Sequence, residues 1–116
     1  MADKTIFSRI IDGEIPGEFV YQDEQVVAIR DVNPAAPVHL LVIPRKPVAS
    51  VAELQDEDLE LAGRLLLVAR KLAEQEGLAS RGYRIVINTG KEGGQTVPHL
   101  HIHVLGGTQM AGHGVG

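Results

Sequence analysis

The chain has 116 residues, no cysteine and no tryptophan, and 15 acidic against 11 basic side chains for a net charge of −4. One domain fits that length and can bury roughly two thirds of its unfolded surface. The composition excludes a disulfide framework and thiol catalysis, and the lack of a basic cluster argues against a nucleic-acid polymer as partner. No apolar run approaches the ~20 residues of a membrane span, and the N-terminal Met1-Ala2-Asp3-Lys4-Thr5-Ile6-Phe7 lacks the core of a signal peptide. A soluble, cytoplasmic protein is expected.

Ile6, Phe7, Ile10 and Ile11 recur at helical spacing. They predict a short helix capped by Asp3 or Thr5 and stopped at Gly13. Glu18–Tyr21 and Val26–Arg30 predict a hairpin across the polar turn at 22–25. Asp31 follows the second strand, either as a turn residue bonding its own backbone or as a polar group beside a pocket walled by Phe7 and the isoleucines. Val38–Ile43 predicts an apolar strand that ends at Pro44 and holds His39.

The one long helix is expected over 56–76. Asp56, Glu57, Asp58 and Glu60 crowd its start while Arg64, Arg70 and Lys71 come later, the order that complements the helix dipole. Leu54 and Leu59 suit a hydrophobic staple around a Gln55 cap, and Gly77 suits the exit. Its apolar residues, from Leu59 to Ala73, span an arc of about 180°, wider than the ~100° stripe that one sheet requires. Part of the helix is therefore expected to pack on a second subunit.

Tyr83–Asn88 predicts a further strand, followed by the polar, glycine-rich stretch 89–96. That stretch is no P-loop, because no Gly-Lys-Ser/Thr precedes a helix. It reads either as a plain hairpin loop or as a turn at Gly93-Gly94 that aims amides and the Gln95 and Thr96 side chains at an anion.

His99, His101 and His103 then alternate with Leu100, Ile102 and Val104. Strict alternation predicts a strand over 98–105 with all three imidazoles on one face, neighbours ~7 Å apart and the outer pair ~13 Å apart. Three readings are open. The face is merely solvated, or two histidines hold zinc with His39 or His113, or an imidazole does acid-base or nucleophilic work near neutral pH. A nucleophilic histidine needs one bare nitrogen, so the other must donate to a fixed acceptor. No Asp or Glu lies between Gly93 and Gly116, so a backbone carbonyl is expected in that place, with the central His101 as the attacking group. Gly106-Gly107 ends the strand, and 108–116 reads as a flexible tail.

His99-Leu100-His101-Ile102-His103-Val104-Leu105 resembles the His-φ-His-φ-His-φ-φ signature of the histidine triad family, where φ is apolar. Thr5-Ile6-Phe7, Ile15-Pro16, Asp31, Pro37-Val38-His39, Gly82-Tyr83-Arg84 and Gly93-Gly94-Gln95 fall in that family's order. Gly106-Gly107 and Gln109-Met110 resemble its nucleotide-binding protein branch. The resemblance implies an α+β fold in a single domain over 1–116: a five-stranded antiparallel sheet with one long and one short helix. It also implies a homodimer whose sheet runs on between subunits. The activity implied is hydrolysis of purine nucleoside 5′-phosphoramidates to a nucleoside monophosphate, through a nucleotidyl-histidine intermediate and without metal or cofactor. His101 would be the nucleophile, His103 and His39 would handle protons and phosphate, and the His99 carbonyl would fix the central ring. Asp31 would hold the ribose, and Ile6, Phe7, Ile10 and Ile29 would enclose the base. Asn88, Gln95 and Thr96 would meet the phosphate and leaving group. Dinucleoside polyphosphate hydrolysis, or nucleotide binding without turnover, are the alternatives. Thr96 stands where serine is common, Pro98 where an aromatic residue is common, and the tail lacks the usual Trp-Pro-Pro-Gly ending.

Overall fold

In a computed structural model that describes residues 4–112, the chain builds one antiparallel sheet and two helices. In chain order these are α1 (Ile6–Ile11), β1 (Phe19–Gln22), β2 (Val26–Arg30), β3 (Val38–Pro44), α2 (Leu59–Gln75), β4 (Arg84–Val86) and β5 (Ile102–Gly106). The five strands lie in the order β1-β2-β3-β5-β4. This is the α+β architecture expected from the sequence. No helix among the described residues is long and apolar enough to cross a membrane.

Alternation along the central strands sends side chains to two separate cores. Val26, Ala28, Leu40, Val42, Ile102 and Val104 face α2, which meets them with Leu61, Leu65, Val68 and Leu72. Those four helix positions recur at intervals of four, three and four, the stripe of one helix face. Val27, Ile29, Leu41 and Ile43 face the other way and pack under Phe7 and Ile10 of α1. Because β2 and β3 are covered on both sides, they read as nearly continuous apolar runs. Leu72 is only 1% exposed, so Leu72→Ala is expected to lower unfolding free energy by roughly 2–5 kcal/mol in a urea titration.

The ends of the helices follow local chemistry. Thr5 caps α1 by accepting a hydrogen bond from the Ser8 N–H at 3.1 Å, and the other candidate cap, Asp3, lies outside the described residues. The expected long helix opens as a 3-10 turn at Asp56–Asp58, where the Asp58 carboxylate accepts from the Gln55 N–H at 2.9 Å. The staple does not form: Leu54 joins the core while Leu59 is 80% exposed. Gly77, at φ 77°, lets its own N–H reach Glu74 O and the Leu78 N–H reach Ala73 O, satisfying the last carbonyls of α2.

Two strands are shorter than predicted, for one shared reason. β5 begins at Ile102, so His99 to His101 stand outside the ladder. Pro98 offers no N–H, and the next two donors go elsewhere, His99 N–H to Val97 O and Leu100 N–H to Val48 O, both at 2.8 Å. β4 pairs only with β5 and stops at Val86, opposite His103, which leaves Ile87 and Asn88 outside the sheet. The tail expected to lack anchorage is held as far as it is described. The Arg84 guanidinium donates to the Ala111 and Gly112 carbonyls at 3.4 and 3.2 Å, while His113 and the residues after it lie outside the described chain.

Candidate active site

On the α1 side of the sheet, a cavity of about 450 Å³ opens between α1, the end of β2 and the histidines. Ile6, Phe7, Ile10, Ile29, Asp31, His39, Thr96, His101 and His103 line it, all of them among the residues expected from the sequence. Ile15, Pro16, Val32, Asn33, Leu41 and Val97 also line it and were not anticipated. Leu41 was within reach of the sequence, because it stands two residues from His39 on the same strand face. The others come from loops, where alternation gives no signal.

Three expected residues do not line the cavity, and each has another occupation. Asn88 Nδ2 donates to Gly93 O at 2.8 Å. Gln95 stitches its loop: Nε2 donates to Ala49 O at 2.7 Å and Val97 O at 2.9 Å, while Oε1 accepts from the Gly90 N–H at 2.9 Å. Both Gln95 N–H donors are spent in this arrangement, whereas Asn88 Nδ2 keeps one. The loop they brace has no room for a larger residue at Gly93, where a Cβ atom would stand 2.2 Å from Thr89 O. His99, 1% exposed, lies beneath α1.

Among the described residues, the hydrogen bonds assign the imidazole tautomers. His101 Nδ1 lies 2.7 Å from His99 O, and a carbonyl can only accept, so Nδ1 carries the proton and Nε2 is bare. This is the backbone acceptor anticipated in place of a carboxylate. The Ala35 N–H donates to His39 Nδ1 at 3.0 Å, which puts the His39 proton on Nε2. From there it donates to His103 Nδ1 at 2.8 Å, leaving His103 with its proton on Nε2. Among the described residues no fully buried side-chain nitrogen lacks a partner. The His101 and His103 Nε2 atoms, which bond no protein group, are therefore open to the cavity. One brings a lone pair and the other an N–H.

Burial pushes all four histidines below the ordinary imidazole range, so each is neutral at pH 7. His103 goes furthest, to about 4, because His101 and His39 add to its desolvation. Asp31 opposes the shift of His39, its Oδ2 standing 3.4 Å from His39 Nε2. The other oxygen of Asp31 accepts from the Asn33 N–H at 2.8 Å, so both readings of this residue hold at once: it makes the turn and it lines the cavity. The Phe7 ring meets His101 edge-on, with ring centroids 4.8 Å apart.

Asp31, His39 and His103 also place ligand atoms within 4.8 Å of one another, close enough to share a divalent ion. The tautomers work against that use. A metal would need His39 Nε2 bare, which would move its proton to Nδ1 and against the Ala35 N–H.

Comparison with known proteins agrees with this geometry. A family model described as the HIT domain matches residues 12–110. The chain belongs to the HIT domain family. Within that family, it is 50% identical to the purine nucleoside phosphoramidase of Escherichia coli K12 over 95% of this chain and 92% of the relative. An uncharacterized HIT-like protein of Synechococcus elongatus is 55% identical over 96% of each chain. The crystal structure of a HIT family hydrolase from Legionella pneumophila superposes with a TM-score of 0.91 at 46% identity, covering 93% of this chain and 96% of that one. The HIT family member from Clostridium thermocellum gives 0.92 at 42%, covering 97% and 98%.

Proposed function

We propose that this HIT protein hydrolyses the P–N bond of purine nucleoside 5′-phosphoramidates to release a nucleoside monophosphate. One observation carries the reading: in a single cavity, a bare His101 Nε2 and a protonated His103 Nε2 stand on rings whose centroids are 5.1 Å apart. The Escherichia coli relative named purine nucleoside phosphoramidase supports the substrate class.

The reaction divides into two displacements. The His101 lone pair attacks phosphorus and forms a nucleotidyl-histidine while the P–N bond breaks. The departing nitrogen gains its proton from solvent, because neutral His103 has one ring proton and would be left an imidazolate by giving it away. The His103 N–H instead donates a hydrogen bond to the phosphoryl oxygen on which charge develops. The His101 ring becomes cationic in the intermediate. Its Nδ1–H bond to the His99 carbonyl then turns charge-assisted and strengthens. Water attacks the same phosphorus, its proton leaves with the neutral histidine restored, and the monophosphate departs. Ile6, Phe7, Ile10 and Ile29 offer an apolar slot to the base, Asp31 an acceptor to the ribose hydroxyls, and Thr96 a hydroxyl to the phosphate.

Incubation of the protein with adenosine 5′-phosphoramidate and a chelator is expected to yield AMP and ammonia. Cleavage restricted to dinucleoside polyphosphates, or AMP binding without turnover, would overturn this reading.

The chain is also expected to act as a homodimer. β4 is an open sheet edge of three residues, Ile85 and Ile87 beside it are exposed, and Leu59, Leu66 and Leu67 leave apolar surface on α2. Covering these with a second copy would continue the sheet and account for the wide apolar arc of the helix. Sedimentation at micromolar concentration is expected to give twice the chain mass of 12.5 kDa. A species of single mass would rule the dimer out.

A further inference from the structure

We infer that Thr5 and Ser8 position the nucleophile by acting through His99. The inference rests on the proposed role of His101. His99 Nε2 donates to Pro44 O at 2.8 Å, so its Nδ1 is an acceptor. Among the described residues, only the hydroxyls of Thr5 and Ser8 reach that nitrogen, at 3.1 and 3.3 Å. The two hydroxyls also bond each other at 3.3 Å, so one of them donates to His99 Nδ1 while it accepts from the other. His99 is thus bonded at both ends, to the end of β3 and to the N-terminal turn of α1.

That anchorage matters because the backbone around His99 belongs to no strand. One local bond to Val97 O and one long-range bond to Val48 O hold residues 99 and 100. The Leu100 side chain is buried with α2, and on the opposite side the His99 ring is the tie to α1. The carbonyl on this segment is the one that accepts from His101 Nδ1. If it swings away, His101 is free to carry its proton on Nε2 instead, and the attacking lone pair is gone. The cap of α1 therefore governs the tautomer of the nucleophile. Ile6, Phe7 and Ile10 of the same helix line the cavity, so the wall expected to meet the base and the tether of the nucleophile are one six-residue element.

Two double variants separate positioning from simple helix capping. Thr5→Val/Ser8→Ala removes both hydroxyls and the cap. Thr5→Gly/Ser8→Ala keeps the cap, because glycine is about as good as threonine there, but gives His99 Nδ1 no donor. Long-range ¹H–¹⁵N spectra of histidine-labelled protein at pH 8 report the tautomers without substrate. Native protein and Thr5→Ser are expected to show His101 protonated at Nδ1 alone. Both double variants are expected to show the Nε2-protonated form, with kcat on adenosine 5′-phosphoramidate at least about tenfold lower and KM within about twofold.

A Thr5→Gly/Ser8→Ala protein with native His101 tautomer and native kcat would overturn the inference and reduce Thr5 to a cap. Should Thr5→Val/Ser8→Ala fail to fold, the glycine variant decides alone. The spectra need no turnover, so a native protein inactive on the phosphoramidate would count against the hydrolase reading while the tautomer result stood independently.

Discussion

Replacing His101 with alanine is expected to lower AMP release from adenosine 5′-phosphoramidate by about four orders of magnitude or more, with AMP affinity little changed. The size of the effect follows from the lack of a substitute. Both His99 nitrogens are engaged, one by Pro44 O and the other by the Thr5 and Ser8 hydroxyls. The cavity-facing nitrogen of His103 carries a proton because His39 donates to its other nitrogen, and His39 Nδ1 is taken by the Ala35 amide. Four imidazoles lie within one cluster, yet only one lone pair is free to attack. Mass spectrometry of the native enzyme, quenched during turnover in alkaline denaturant, is expected to show one added nucleotidyl group that the variant never acquires. Turnover in His101→Ala within tenfold of native would mean that water attacks phosphorus directly and the covalent step is absent.

The second large effect is on stability against acid. His103 titrates near 4 in the folded chain and near the ordinary imidazole value of about 6.5 when unfolded. Between those values the unfolded chain binds the extra proton, so stability rises with pH. The contribution is complete above about pH 6.5 and is lost as pH falls towards 4, which for this group amounts to roughly 3 kcal/mol. His39, His99 and His101 are shifted the same way and act in the same window. Asp23 and Asp58 are held below the ordinary carboxylate range, Asp23 by its hydrogen bonds to Tyr21, backbone amides and Arg64, and Asp58 chiefly by Lys46. Their loss therefore belongs to lower pH. The melting temperature is expected to be level from pH 8 to 7 and to fall steadily from 6.5 to 4, with a shallower fall in His103→Asn. A flat profile across that interval would show that the cluster protonates freely in the folded state.

Sequence reasoning went furthest where periodicity and turn chemistry agree. Val26–Arg30 appears with its predicted bounds, Thr5 caps α1, and Gly77 closes α2. The carbonyl acceptor of His101 was accessible by elimination, since no carboxylate follows Glu92. What alternation could not convey is where a ladder stops. Three histidines in strand register suggested a flat row, whereas Pro98 and the donors spent on Val97 and Val48 bend the segment and turn His99 under α1. Gln95 stands in the loop as expected, whereas Asn88, expected to end a strand, lies beyond β4; the amides of both brace the loop backbone, a contact between residues distant in sequence or hidden inside a turn. The Ala35 amide was beyond reach altogether, because nothing in a Pro34-Ala35-Ala36-Pro37 stretch reports where one N–H points.

The sheet divides the molecule into two cores that share strands but no side chains. α2 and its apolar stripe lie on one side, and α1 with the histidines on the other. A mutation that loosens packing beneath α2 reaches the imidazoles through the backbone at Leu100, Ile102 and Val104 rather than through the side chains of the cavity wall. Such substitutions are expected to combine additively with those in the cavity. A lineage can therefore rebuild the structural half of this fold, and accumulate reserves of robustness there, while its catalytic half explores new leaving groups under separate selection.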